Sequence, residues 1–328
     1  MSDKIGRRPV LLVVLAIYTV SLASTAFVSD LKPFLACRVV AGFCEGTALM
    51  PIAIARDVWD DEEARAKSLA LIIGLRPLVL MGAPALGGVI GQLIGWRHLF
   101  LLESIGVFIT FVSIFGLLPE TLRRASPSVE ATMASAMTFK ERLQTLLTCR
   151  LYTGLTGLLV FQFGVITVSG VVSSFVFEDF YGCTQAAAGL LQSLPALAGA
   201  SGAVAYGVWG HTFPHFSIMK SLRLFMVPQL ATAATFILFA VIPLYQYGWG
   251  TFNGVVSFFM FMSILIGPPA RSLRIQPFPQ LAGLAIGLGG FLEQVIPVSF
   301  SFVVTMTYDR TPFPVLLYMG GTTLMSAL

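Results

Sequence analysis

The sequence predicts an all-α membrane protein, a bundle of transmembrane helices in two pseudo-symmetric halves. Three observations predict this fold class. Hydrophobic residues make up 56% of the 328 residues and charged residues only 11%, whereas a soluble domain carries about 25% charged residues. The apolar residues form ten runs, most of them close to the roughly 20 residues that a helix needs to cross a bilayer. One long polar stretch separates the first four runs from the last six.

The ten runs follow one another with short connections, except for one. The long connection, residues 119–150, is polar and ends in an amphipathic stretch. It divides the chain into an N-terminal half, residues 1–118, and a C-terminal half, residues 151–328. The first run follows a basic start, as a signal peptide does, but it is apolar nearly to Val28 and nine runs follow, so we interpret it as a span. The runs are 9–28, 31–54, 68–90, 96–118, 151–176, 186–210, 219–243, 248–268, 280–306 and 312–328.

The distribution of basic residues predicts the orientation. If the N-terminus is inside and the spans alternate, 15 of the 20 lysines and arginines lie in inner loops, Arg271 and Arg274 among them, and three lie in outer loops. The remaining two, Arg38 and Arg76, lie within spans. Basic residues near span ends stay on the cytoplasmic side. We therefore expect a multi-pass protein of the cell membrane with both termini in the cytoplasm.

Composition and spacing argue against several other classes of protein. The net charge of +4 comes from the loops, so nucleic acid is not an expected partner. The four cysteines form no CxxC pair, and His211 and His215, which are four residues apart, have no third ligand beside them. Both observations argue against a metal site and a disulfide framework. Glycine-rich clusters lie within spans with no preceding strand, so no phosphate loop is indicated. We expect neither an enzyme nor a cofactor.

Two charged residues of the second run are candidates for a polar cavity wall. A charge as deep as Arg38 costs roughly 2.5–3.5 kcal/mol on insertion scales, so its side chain should face protein or water and have a partner. Glu45 follows two helical turns later on nearly the same face. In a functional interpretation Arg38 biases proton movement and Glu45 is a proton or cation site. The alternative is a structural charge pair.

Other polar residues within spans allow two interpretations each. Glu293, near the middle of its span, is a candidate proton carrier. Gln162, Ser169 and Ser173 recur at helical spacing on the fifth run and would line a cavity or form ordinary bonds between helices. Arg76 would line the inner half of the cavity or extend to the cytoplasmic interface.

Four motifs carry a resemblance to a known family. Asp3-Lys4-Ile5-Gly6-Arg7-Arg8 resembles the loop between spans two and three of the major facilitator superfamily, with Lys4 in place of the usual arginine. Arg38 with Gly42 resembles the span-four motif, and Gly82-Ala83-Pro84-Ala85-Leu86-Gly87-Gly88 resembles the antiporter motif of span five. Leu118-Pro119-Glu120-Thr121 fits the end of span six. The order and spacing resemble the bicyclomycin-resistance group of drug:proton antiporters, and on this alignment the first two of twelve spans are missing.

The resemblance implies proton-coupled efflux of small amphipathic drugs by alternating access, with the substrate cavity at mid-membrane between the halves. The expected partners are a drug-like molecule, protons and the lipid bilayer, and we expect a monomer whose energy source is the proton gradient. The resemblance also implies a conformational motif, in which Asp3 and Arg7 form a cytoplasmic latch with Asp57 and the inner end of span eleven. A symporter or uniporter of another solute, and a truncated inactive remnant, are the alternatives. The implied motif residues are Asp3, Gly6, Arg7, Arg8, Asp57, Gly82, Pro84, Gly87 and Gly88.

Overall fold

A computed structural model describes residues 6–45, 50–58, 79, 82–121, 138–212 and 218–327. These residues are almost entirely helical, and no β-strand occurs among them, which confirms the predicted all-α fold class. The α-helices are α1 (Arg7–Phe27), α2 (Leu31–Glu45), α3 (Met50–Val58), α4 (Gly82–Ile94), α5 (Trp96–Leu117), α6 (Phe139–Thr148), α7 (Arg150–Phe175), α8 (Gln185–Thr212), α9 (Ile218–Val241), α10 (Trp249–Ile275), α11 (Ala282–Thr307) and α12 (Pro312–Ala327).

Seven helices of the described residues are long and apolar enough to cross a bilayer: α1, α5, α7 with the π-helical turn Val176–Phe180 that continues it, α8, α9, α10 and α11. Each of them coincides with a predicted run. The predicted run 31–54 corresponds to α2 and α3, and residues 46–49 between these helices lie outside the described residues. The predicted run 68–90 is described only from α4 onward and at residue 79.

Local sequence explains several helix boundaries. Gly95, whose φ of 83° favours glycine, separates α4 from α5. Thr138 and Glu141 form a capping box that begins α6: the Thr138 N–H donates to Glu141 Oε2 at 2.7 Å, and the Glu141 N–H donates to Thr138 Oγ1 at 3.4 Å. Prolines occur inside α8, α9, α10 and α11, as membrane helices tolerate them.

Internal contacts divide the chain into two compact units. The first comprises Met1–Val79 with Leu86–Ser126, and the second comprises Leu80–Ala85 with Pro127–Leu328. In the first unit, α1 packs against α2 and α5. Few of its side chains are buried, and α5 exposes apolar side chains along most of its length. Such a surface suits lipid, whose tails are as apolar as leucine.

The second unit holds most of the buried core. Its helix α7 packs against α11, α12 and α10, while α8 packs against α10 and α9 against α12. Small residues bring some of these helices close together. A Cβ atom on Gly202 of α8 would lie 2.6 Å from the carbonyl oxygen of Phe261, and one on Gly320 of α12 would lie 2.7 Å from Cγ1 of Ile237. Such glycine contacts are typical of helix pairs in membranes.

Candidate functional site

The carboxylate of Glu120 lies at the N-terminus of α1, in the first unit. The backbone N–H of Arg7 donates to its Oε1 at 2.9 Å, and the N–H of Arg8 donates to its Oε2 at 3.3 Å. Both N–H groups belong to the first turn, where a helix offers them no internal partner. The negative charge also faces the positive end of the helix dipole. Glu120 therefore caps α1 from 113 residues away in the chain.

Gly6 and Arg8 of the predicted conformational motif both take part in this contact. Gly6 has a φ of 120°, and a Cβ atom on it would lie 2.5 Å from Glu120 Oε2, so both the backbone and the neighbouring carboxylate favour glycine. The Arg8 guanidinium donates from Nη2 to the carbonyl oxygen of Phe115 at 2.7 Å and lies 5.7 Å from the centre of the Phe115 ring. The start of α1 is thus joined to the end of α5.

Two residues of the predicted latch fall outside what the structure describes. Asp3 lies outside the described residues, and the side chain of Asp57, near the end of α3, is not described. The separate candidate Arg76 also lies outside the described residues. Arg7 is the first residue of α1. A latch between Asp3, Arg7, Asp57 and the inner end of span eleven therefore stays a prediction.

The predicted antiporter motif forms the first two turns of α4. Gly82, Pro84, Gly87 and Gly88 are all half-buried. A Cβ atom on Gly82 or Gly87 would meet no atom of the described residues within 4 Å. Within the described part of the chain, these two glycines therefore make no close contact with a neighbouring helix.

Arg38 lies in a polar cluster of the first unit. Its guanidinium lies 5.2 Å from the ring centre of Phe100, and its buried Nη1 has no hydrogen-bond partner among the described residues. Tyr18 on α1 donates to Glu103 on α5 at 3.2 Å and lies within electrostatic range of Arg38 and Glu45. No Arg38–Glu45 ion pair occurs among the described contacts. The cluster therefore combines Arg38 with two carboxylates, Glu45 and Glu103, and neither forms an ion pair with Arg38 among the described contacts.

Glu293 lies in the second unit, on α11, between two arginines of α10. Arg274 Nη1 donates to Glu293 Oε1 at 2.5 Å, while Arg271 donates to Oε2 from Nη2 at 3.0 Å and from Nε at 3.3 Å. The predicted proton carrier is thus a buried carboxylate that bridges two guanidinium groups. Loss of the Glu293 carboxylate would leave both arginines without their counter-charge, which would be costly in a low-dielectric interior.

The placement of Arg271 and Arg274 in an inner loop was wrong. Both lie in the last two turns of α10, which extends to Ile275, seven residues beyond the predicted end of that run. Their charge interrupts the apolar run in the sequence, but pairing with Glu293 allows the helix to continue with Arg274 buried. Nearby, Tyr152 of α7 donates to the carbonyl oxygen of Ala285 at 3.0 Å and lies within electrostatic range of Arg274 and Glu293.

Gln162 is buried on α7, and its Nε2 has no hydrogen-bond partner among the described residues. Ser169 and Ser173 are also buried on α7, and their hydroxyl oxygens lie 3.5 Å apart. The Phe161 ring stacks on Phe300 of α11 with ring centres 5.8 Å apart. An open apolar cavity of about 250 Å³ lies between α7 and α11; it is lined by Leu147, Tyr152, Thr153, Thr156, Gly157, Val160, Phe161, Leu292 and Ile296.

Sequence reasoning missed the partners of these residues more often than the residues themselves. Glu120 belongs to the span-six motif, to which the sequence analysis assigned no individual role. Glu120 is an acid at a span end, on the same predicted membrane side as the start of α1, and this position indicates a cap for that helix. Tyr18 gave no signal, since a tyrosine in an apolar run is ordinary. Arg271 and Arg274 carried a usable signal, because one mid-span acid on the following run required cations near it.

Long apolar helices that carry paired ionised side chains within their spans are typical of a polytopic membrane transporter. A sequence profile of the Major Facilitator Superfamily matches residues 1–301. The chain belongs to this superfamily of transporters, is a multi-pass membrane protein and is not an enzyme.

The chain is also similar to curated relatives over part of its length. It is 31% identical over 130 residues to the multidrug resistance protein MdtM of Escherichia coli K12, a match that covers 38% of this chain and 31% of MdtM. It is 34% identical over 129 residues to the multidrug resistance protein MdtL of Klebsiella pneumoniae subsp. pneumoniae, covering 39% of this chain and 32% of MdtL. The matches therefore span about a third of the length of these relatives.

One solved structure with a similar fold is a bacterial homologue of the human lysosomal transporter Spinster, in an inward-facing and unoccupied conformation. The TM-score is 0.71 with 12% sequence identity, and the match covers 99% of this chain and 81% of that one. At this identity the likeness concerns the fold alone.

Proposed function

We propose that this transporter exports small amphipathic drugs in exchange for protons by alternating access. The observation that carries the proposal is the polar cluster of the first unit, where Tyr18 donates to Glu103 and lies within electrostatic range of Glu45 and Arg38, and no ion pair among the described contacts joins either carboxylate to Arg38. A proton-coupled transporter needs a carboxylate within its spans that can take up and release a proton, and neither Glu45 nor Glu103 has a guanidinium partner among the described residues. The multidrug resistance proteins among the relatives support the choice of substrate class.

Glu293 is the weaker candidate for the coupling carboxylate. Its two oxygens are both occupied by arginines, whereas Glu103 accepts one hydrogen bond from the neutral hydroxyl of Tyr18. The apolar cavity beside α7 and the buried unpartnered Nε2 of Gln162 support an amphipathic ligand, because they combine apolar surface with a free hydrogen-bond donor. The proposal includes the predicted orientation, with both termini in the cytoplasm.

The test is proton movement driven by a drug gradient in proteoliposomes that contain a pH-sensitive dye. Antiport predicts that a cationic amphipathic drug leaving through the protein drives protons in the opposite direction. Glu45→Gln and Glu103→Gln should each weaken this exchange, whereas Asp179→Asn, at an exposed carboxylate beyond the described polar cluster, should not. Proton movement in the same direction as the drug would indicate symport, and drug movement without protons would indicate a uniporter. Either result would refute the proposal.

A further inference from the structure

The cluster of Arg271, Arg274 and Glu293 carries an unbalanced charge. It contains two guanidinium groups and one carboxylate, and no other carboxylate of the described residues pairs with either arginine. The ionised cluster therefore has a net charge of +1 within the helices α10 and α11. An uncompensated charge within a span is costly, so such charges normally meet a counter-charge.

The two arginines differ in how firmly they are held. The side chain of Arg274 is only 3% exposed, and its guanidinium lies against the backbone of Gly289, where a Cβ atom would approach Cζ to 2.5 Å. The side chain of Arg271 is 46% exposed and directs both Nε and Nη2 to the same oxygen of Glu293. Arg271 can therefore turn toward a ligand while Arg274 continues to neutralise Glu293.

We propose that Arg271 binds a monoanionic head group, a phosphate diester or a carboxylate, at this end of α10. One negative charge would bring the cluster to neutrality. The planar guanidinium fork matches the oxygens of phosphate and carboxylate groups and can bind two of them at once. The ligand is amphipathic, because its charged head must meet Arg271 at the end of an apolar span. An anionic phospholipid and a carboxylate solute both have this chemistry, and the predicted cytoplasmic side is the one where anionic lipids gather.

Binding measurements on the detergent-purified protein distinguish an anionic phospholipid from a carboxylate solute as the ligand. Two charged probes are titrated, a short-chain phosphatidylglycerol and dodecanoate, and each has an uncharged or zwitterionic counterpart, the matching phosphatidylcholine and dodecanol. We expect at least one charged probe to bind more tightly than its counterpart. Arg271→Gln should weaken that binding about tenfold or more, as the loss of a charge-assisted hydrogen bond implies. This variant leaves the Arg274–Glu293 pair in place, so the fold should survive.

Arg223→Gln is the matched control, because Arg223 is an exposed arginine of the same unit on the same predicted membrane side. A preference for phosphatidylglycerol alone assigns the site to a lipid, and a preference for dodecanoate alone assigns it to a carboxylate solute. A preference for both charged probes indicates a site that binds a monoanionic head group of either kind. Equal binding by Arg271→Gln and the unmodified protein, or an equal loss in Arg223→Gln, overturns the proposal. If Arg271→Gln does not fold, Arg271→Lys replaces it: the planar fork is lost, so unchanged affinity in that variant would also overturn the proposal.

Discussion

Arg274 and Gly289 share one space between α10 and α11. A Cβ atom on Gly289 would lie 2.5 Å from Cζ of Arg274 and 2.6 Å from its Nη1, the atom that donates to Glu293. The guanidinium reaches the carboxylate only because the residue one turn before Glu293 has no side chain. The pairing of α10 with α11 thus depends on a glycine as well as on three charges.

Gly289→Ala should destabilise the protein by about 1–3 kcal/mol, because the added methyl group overlaps a buried guanidinium that is paired with Glu293. Gly290→Ala is the matched control, since a Cβ atom there meets nothing within 4 Å. The midpoint of thermal unfolding in detergent measures both variants. Equal midpoints for the two alanine variants would contradict the close contact at Gly289.

Glu293→Gln should cost about 3–5 kcal/mol of stability, because it leaves two arginines in the bundle without a counter-charge. Combining it with Arg274→Met should cost less than the sum of the two single changes, since the pair acts as a unit. Equilibrium unfolding of the four proteins of this cycle measures the coupling. If Glu293 were instead a freely exchanging proton carrier, Glu293→Gln would abolish proton coupling at nearly unchanged stability.

Glu120→Ala should lower stability by about 1 kcal/mol, because the first-turn N–H groups of Arg7 and Arg8 lose their acceptor. Glu120→Gln keeps an acceptor oxygen but loses the charge that faces the helix dipole, so we expect a smaller loss. Thermal unfolding in detergent compares the three proteins. A Glu120→Ala protein as stable as the unmodified one would show that the cap contributes nothing.

Arg38→Ala should strongly reduce drug export by cells without lowering the amount of protein in the membrane. The guanidinium is the one cation of the described first-unit polar cluster, and its contact with Phe100 is lost with it. Arg38→Lys keeps the charge and should retain part of the activity. Export is measured as accumulation of a fluorescent cationic drug, with immunoblots of membranes for abundance. Full export by Arg38→Ala would remove Arg38 from the mechanism.

The start of α6 should be sensitive to acid. The Thr138 backbone N–H, and then its hydroxyl, hold the pKa of the exposed Glu141 carboxyl below its usual value. The folded pKa is therefore below the unfolded one, so the stabilisation is complete above the unfolded pKa and is lost as pH falls through the folded pKa. Hydrogen exchange of the α6 amides over this range should show the loss. Glu141→Gln should flatten the dependence, and an unchanged dependence in that variant would assign it to another group.

The sequence predicted the helix boundaries well where the length of an apolar run determined them. It predicted them poorly where charged residues lie inside a helix. α7, α9 and α11 match their predicted runs within a few residues, because a run of about 20 apolar residues in a membrane protein is typical of a transmembrane helix. α10 was cut short at residue 268, since a hydropathy pattern treats Arg271 and Arg274 as the end of a span. The pattern carries no information about a carboxylate on the next helix that compensates them.

The candidate residues were found more readily than their environments. Arg38, Gln162 and Glu293 stand out because polar side chains within spans are rare. Whether each is paired depends on contacts between residues far apart in the chain. Arg271 and Glu293 are 22 positions apart, and Arg7 and Glu120 are 113 positions apart. Periodicity along one run cannot show these contacts.

When no anion is bound, the unequal charges of α10 and α11 also make this end of the bundle responsive to voltage. One elementary charge that crosses the whole membrane potential changes in energy by about 2.3 kcal/mol per 100 mV. A displacement of Arg271, Arg274 and Glu293 along the membrane normal moves their net positive charge through part of that field. Any conformational step that shifts these helix ends is then favoured or opposed by the electrical gradient itself, separately from the charge of the transported molecule.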